Sequence, residues 1–172
     1  IFNILNQLIY KKKTKKIKYI ILYSNNNNSL FVNKIIGFIH YKLKNELFDY
    51  IITLHHPNRR TKHKEYNDLI LCIQNIEIDS LFFIDDRKHK GMKHPKVDYV
   101  KCEKFVYQYE INEIMNILCK YNGLTIHREY IYQELKKYKL STRILPIEVY
   151  NISTREISKK IEIFIHNISF VN

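Results

Sequence analysis

The stretch that most constrains this chain is Leu81-Phe82-Phe83-Ile84-Asp85-Asp86-Arg87. Large apolar residues in an unbroken run, two of them Phe and one β-branched, read as a short strand buried on both faces. Two adjacent carboxylates follow where such a strand would end. In open α/β sheets, ligands collect outside the carboxyl ends of the strands. Neighbouring carboxylates also repel each other, and a bound cation is the usual way to keep both ionised. Asp85 and Asp86 therefore read either as a metal-binding pair or as plain caps of the loop that follows.

The same grammar recurs upstream. Ile1, Ile4, Leu5, Leu8 and Ile9 have helical spacing up to about Tyr10, and the basic run Lys11–Lys18 follows as a solvated turn. Lys18 to Tyr23 reads as a buried strand ending in Ser24 and a run of Asn. Leu30, Phe31, Ile35, Phe38, Ile39 and Leu43 return to helical periodicity, with Asn28 or Ser29 as the N-cap. Phe48–Leu54 is a second strand, and the polar segment from His55 to Lys64 is a loop with four formal positive charges and no acid. Tyr66, Leu69, Ile70 and Ile73 form a helical face before the Leu81–Ile84 strand, and Val97–Val100 makes a further strand. Strands alternating with helices at these intervals require right-handed crossovers and a mainly parallel sheet, so the fold class is α/β.

From about Glu110 the pattern is helical. Ile111, Ile114, Met115 and Leu118 form one face, with Gly123 as a helix stop. Ile131, Leu135 and Tyr138 form another. Leu145-Pro146 lies in a connection, and Ser153-Thr154-Arg155-Glu156 is a capping-box pattern opening a last helix through Ile157, Ile161, Phe164 and Ile168. The expected division is a core over 1–110 and a helical extension over 111–172.

Charge and cysteine usage bound the setting. A formal charge of +12 suits a polyanionic partner such as nucleic acid, but the abundance of Lys, Ile, Asn and Tyr also fits an AT-rich coding sequence. Cys72, Cys102 and Cys119 are odd in number and widely spaced, as free thiols are. No apolar run reaches the length of a membrane span, and residues 1–20 lack signal-peptide features, so the expected location is intracellular, with no membrane partner. The His residues and cysteines show no paired zinc-ligand spacing. The chain opens on Ile and directly on an amphipathic helix, which reads as a fragment whose start lies upstream.

Three strand ends carry polar groups: Ser24-Asn25, the basic loop through Lys64, and Asp85-Asp86. Parallel strands bring their carboxyl ends to one edge. A hydroxyl, a lysine and a metal-binding carboxylate meeting there make a phosphate site.

The order of these segments resembles motifs two, three and four of the haloacid dehalogenase superfamily. Ile21-Leu22-Tyr23-Ser24-Asn25-Asn26 resembles the second motif, and Arg60-Thr61-Lys62-His63-Lys64-Glu65-Tyr66-Asn67-Asp68-Leu69-Ile70 the segment carrying the third. Phe83-Ile84-Asp85-Asp86-Arg87-Lys88-His89-Lys90-Gly91-Met92, followed by Val97–Val100, resembles the fourth motif and the strand after it. The closest resemblance is to the NLI-interacting-factor-like phosphatases that act on the RNA polymerase II carboxy-terminal domain, especially giant-virus versions. It covers roughly residues 1–110.

The resemblance implies a three-layer, Rossmann-like fold with a mainly parallel sheet, N-terminally truncated here, and Mg²⁺-dependent hydrolysis of phosphate monoesters, including phosphoserine in a protein. By the same resemblance, Ser24 and the backbone N–H of Asn25 would grip the phosphoryl group. Lys64, or alternatively Lys62, would balance its charge, and Arg60 and Lys62 would face the substrate. Asp85 would be a Mg²⁺ ligand, with Asp86 either a second direct ligand or a group supporting the first from behind. The family reaction begins with attack by an Asp of a first motif, Asp-x-Asp-x-Thr, and passes through an aspartyl-phosphate. No Asp-x-Asp occurs in this chain. The alternative function is therefore a non-catalytic module of the same fold, whose basic surface engages nucleic acid or a protein partner.

Overall fold

The computed structural model describes residues 2–74, 76–104, 111–122, 128–137 and 146–169. In chain order its elements are α1 (Phe2–Lys13), β1 (Ile21–Tyr23), α2 (Ser29–Leu43), β2 (Tyr50–Ile52), α3 (Tyr66–Cys72), β3 (Leu81–Asp85), β4 (Val97–Lys101), α4 (Ile111–Asn122), α5 (Arg128–Lys137) and α6 (Ile147–Ser169). Short parallel strand pairs alternating with helices make this a mixed α/β protein. Residues 1–103 and 151–172 form one compact unit and residues 104–150 another. The greater part of α6 thus belongs to the unit that holds the strands.

The unbroken apolar run at residues 81–84 is explained by alternation along β3. Leu81 and Phe83 join a cluster with Tyr23, Ile52, Tyr66, Leu69, Ile73 and Met92. Phe82 and Ile84 point the other way, into a cluster with Ile4 of α1, Val100, and Ile157, Ile161 and Ile165 of α6. Both faces of the strand are covered, so no position in it needs to be polar. β3 pairs with β4 in parallel, from Leu81 opposite Val97 to Asp85 opposite Lys101. β1 pairs with β2, also in parallel, from Ile21 opposite Tyr50 to Tyr23 opposite Ile52. Each ladder is a separate two-stranded sheet.

Several local expectations meet a different outcome. The helix expected to end near Tyr10 runs on to Lys13, so the first part of the basic run is helical, its lysines lying at the negative end of the helix dipole. It stops where Lys15 takes a left-handed conformation with φ 58°. Asn28 is the N-cap of α2, its side chain accepting the Phe31 N–H at 3.0 Å. The face of α2 that turns inward is the opposite of the expected one. Val32 and Ile36 are buried, while Leu30, Phe31, Ile35 and Phe38 are exposed. This helix is apolar on nearly every side, so periodicity alone cannot select its buried face.

α6 begins at Ile147, directly after Pro146, and the capping-box residues Ser153–Glu156 lie inside it. A proline just ahead of a helix needs no hydrogen bond on its nitrogen, and that fixes the start. Gly123, Tyr138 and Leu145 lie outside the described residues. No helix among the described residues is long and apolar enough to cross a membrane.

Candidate functional site

The carboxyl ends of β1 and β3 and the loop ahead of α3 meet through two cations. The first is Arg59. Its guanidinium donates to the Ser24 carbonyl at 2.7 Å, to Asn25 Oδ1, to the Thr61 carbonyl at 3.1 Å and to the His63 carbonyl at 3.2 Å. It also lies 4.6 Å from the centre of the Tyr23 ring. The planar fork of donors suits this task, because several fixed acceptors from two loops can be held at once. Arg59 therefore fastens the basic loop to the end of β1, 35 residues earlier in the chain.

The second cation is Lys64. Its Nζ lies 2.6 Å from Asp85 Oδ2, in a mostly buried pair whose side chains are 14% and 8% exposed. The ammonium also lies about equally far from the rings of Tyr23 and Phe83, at 6.0 and 5.8 Å. The other oxygen of Asp85 accepts the Arg87 N–H at 2.8 Å and meets His89 Nε2 at 3.1 Å. Burial alone would push the Asp85 carboxyl upward. The Lys64 hydrogen bond, the Arg87 N–H and the charges of Lys64 and His89 outweigh it, so the carboxyl titrates below its ordinary value.

A third acid anchors the loop from beneath. Asp68, in the first turn of α3, is 3% exposed. It accepts the Arg60 N–H at 3.0 Å, the Thr61 N–H at 2.8 Å and the Thr61 hydroxyl at 2.9 Å. Burial acts to raise its carboxyl, but these donors and the Arg59 charge bring it below the usual carboxylate range. A short 3₁₀ turn at Lys90–Met92 closes the far side. A Cβ added at Gly91 would collide with the Glu65 side chain, so the segment after Asp86 and the start of α3 touch with no room between them.

The sequence-predicted residues fall into two groups. Ser24, Asn25, Lys64 and Asp85 are brought into one connected set through Arg59 and the Lys64–Asp85 pair. The Ser24 hydroxyl accepts the Asn26 N–H at 3.1 Å, and Asn25 is exposed except for its bond from Arg59. Asp86 follows Asp85 and is half-buried. Lys62 and the Arg60 side chain are exposed, and what holds Arg60 in place is its backbone. Of the two candidate lysines, then, Lys64 is the one against the carboxylate.

Arg59 and Asp68 carry no site role on sequence grounds, and His89 figures there only among the histidines without zinc-ligand spacing. A signal existed for Asp68 alone: it lies one helical turn before Cys72, on a buried stripe of α3, where an acid needs partners. Arg59 and Arg60 are adjacent and equivalent as letters, and only the fold distinguishes them.

Asp85 and Asp86 are adjacent carboxylates in the chain, and both oxygens of Asp85 are engaged, one by Lys64 and the other by the Arg87 N–H and His89. No group of three or more His, Cys, Asp or Glu suited to a metal ion occurs among the described residues. Chemically, then, the site holds a mostly buried Lys64–Asp85 ion pair beside a loop rich in further, exposed cations. Compared with family models, curated proteins and solved structures, the chain matches none.

Proposed function

We propose that this chain is the greater part of a phosphohydrolase core of the haloacid dehalogenase kind, acting on phosphate monoesters such as phosphoserine in a protein. The observation that carries the reading is the 2.6 Å contact of Lys64 with Asp85, between residues 21 apart that the motif order assigns to phosphate charge and metal binding. A phosphoryl dianion entering the site would meet Lys64, the Ser24 hydroxyl and the N–H of Asn25. Mg²⁺, held by Asp85 and Asp86, would add charge neutralisation at the phosphoryl oxygens. Arg59 and Asp68 position the loop, and Arg60 and Lys62 present exposed charge toward an acidic substrate.

The two ladders support a finer reading of the fold. The Ser24 N–H bonds the Ile52 carbonyl, and the Cys102 N–H bonds the Asp85 carbonyl. Alternation then turns the backbone of Ile21 and Tyr23 away from β2, and that of Phe82 and Ile84 away from β4. Two parallel pairs contributing to one buried cluster, each with such an edge, fit a three-layer, Rossmann-like sheet short of one strand between β1 and β3. The nucleophilic Asp would arrive at the carboxyl end of that strand, since these 172 residues contain no Asp-x-Asp.

Calorimetric titration with inorganic phosphate in the presence of Mg²⁺ tests the site, and hydrolysis of an aryl phosphate tests the chemistry. Phosphate binding should fall about tenfold or more in Lys64→Ala, the scale of one charge-assisted contact, and persist in Lys62→Ala. The 172 residues alone should show no turnover, because none of their motif residues is placed to attack phosphorus. Equal losses in the two lysine variants would overturn the site. Turnover by the 172 residues would place the nucleophile within them. The absence of that nucleophile also favours a second reading, a binding module of the same fold. An extended chain carrying the missing strand that binds phosphate but never hydrolyses an ester would decide for the module.

A further inference from the structure

Helix α2 carries its largest apolar side chains outward. Leu30 is 67% exposed, Phe31 50%, Ile35 43%, Phe38 53% and Tyr41 77%. At 100° per residue these five fall within one broad stripe, opposite the buried Val32 and Ile36. Lys34 and Lys42 are exposed inside that stripe rather than along its flanks, and α2 contains no acidic residue. Near the edge of the stripe sits Gly37, where an added Cβ would have nothing within 4 Å. Five bulky apolar residues held in water along one helix form a patch of the kind that marks an interaction surface.

The charges choose among occupants. A second copy packed through the same face would bring lysines onto lysines with no acid to meet them. On a membrane surface, Lys34 and Lys42, interleaved with the apolar residues, would be drawn toward hydrocarbon, whereas membrane-lying helices keep their lysines along the polar border. A base-stacking platform needs free ring faces, and the Phe38 ring already has Phe2 against it edge-on at 6.3 Å and Lys42 5.7 Å from its centre. A partner helix with its own apolar face and carboxylates set within it satisfies every feature.

We infer that α2 is a docking surface for an acidic amphipathic helix of another protein. Lys34 and Lys42 are about 12 Å apart along the axis at 1.5 Å per residue, so they match carboxylates about two turns apart on the incoming helix. The shallow edge at Gly37 admits a bulky side chain of the partner close to the α2 backbone. This mode reads as apolar anchors at helical spacing, with the two ion pairs fixing register and direction. It is independent of the phosphate site and stands whether or not that site is catalytic.

Fluorescence anisotropy with the full 172-residue chain tests it. The probe is a labelled designed helix with a leucine face and two Glu eight residues apart within that face. A matched probe carries Lys at those two positions. The acidic probe should bind about tenfold or more tightly than the basic one. Phe38→Asp, at a half-exposed site that leaves the core intact by circular dichroism, should abolish the binding. Lys34→Glu with Lys42→Glu should reverse the preference between the probes. Lys159→Glu with Lys160→Glu, exposed on α6, lowers the charge equally, from +12 to +8, and should leave binding unchanged. Equal losses in the two double variants would reduce the effect to bulk charge and overturn the proposal. So would a dimer in sedimentation that Phe38→Asp disrupts, or displacement of the acidic probe by anionic vesicles or a single-stranded oligonucleotide.

Discussion

The two strand pairs share one geometry and differ in what covers them. β3 and β4 are five residues each, and each face of this pair contributes to a buried cluster: Phe83 is 7% exposed on one side and Val100 4% on the other. β1 and β2 are three residues each. Their inner side is as well packed, with Ile52 at 1% and Tyr23 at 7%, yet Ile51 on the outer side is 39% exposed and α2 presents its apolar residues to water. A parallel ladder is stable when both faces are buried, and a lone two-stranded sheet is marginal in water. The β3–β4 half therefore stands as the rigid frame of this unit. The β1–β2 half contributes the Ser24 end of the site and depends on tethers such as Arg59 and the Lys12–Asp49 ion pair, whose atoms are 2.6 Å apart.

The sharpest way to break this comparison is to truncate one side chain in each half. Phe83→Ala should cost about 3–5 kcal/mol, because it opens a cavity in the cluster beneath both ladders. Ile51→Ala should cost only about 0.5 kcal/mol, as at an exposed position. Urea unfolding midpoints at constant slope give both values. Equal costs would mean that the outer side of β2 is covered in solution.

Next in size is the pair that joins the two halves of the site. Lys64→Ala leaves Asp85 buried without its ammonium and should destabilise by about 3 kcal/mol near neutral pH, whereas Lys62→Ala should stay within about 0.5 kcal/mol. The Asp85 carboxyl titrates below its ordinary value. Its contribution to stability is therefore fully present above about pH 4 and is lost as the pH falls below that. Asp85→Asn should flatten the acid limb of the stability profile without removing it, since Asp68 is depressed as well. An unchanged limb in the Asn variant would show that Lys64 and Asp85 are not paired in solution.

The smallest effect sharpens the comparison from the weaker half. Lys44, just after α2, has φ 49°, in the region that costs an L-residue about 1–2 kcal/mol and glycine almost nothing. Lys44→Gly should therefore raise stability by about 1 kcal/mol, read as a higher thermal midpoint, if this end of the molecule is held as firmly as the frame. No gain would mean that the left-handed turn relaxes when α2 frays.

Much of the local structure was legible because it depends on nearest neighbours. The apolar run at residues 81–84 marked a strand covered on both faces, and the start of α2 was narrowed to Asn28 or Ser29, of which Asn28 makes the side-chain bond spanning three residues. The positions of Ser24, Lys64 and Asp85 at strand and loop ends also followed from the alternation of strands and helices. Polar letters at such ends have few other places to go.

What only the tertiary structure decided concerns choices among equivalent letters. Arg59 rather than Arg60 bridges to Ser24, and Lys64 rather than Lys62 reaches Asp85, because the Asp68 clamp on the backbone of Arg60 and Thr61 sets which side chains turn inward. α2 buries Val32 and Ile36 in place of its bulkier residues. The physical reason is the same in each case. Periodicity and capping act within a few residues, so the sequence by itself determines which elements form and where they end. The face an element buries, and the one cation among several that meets a carboxylate, are set by the surface another element offers from tens of residues away.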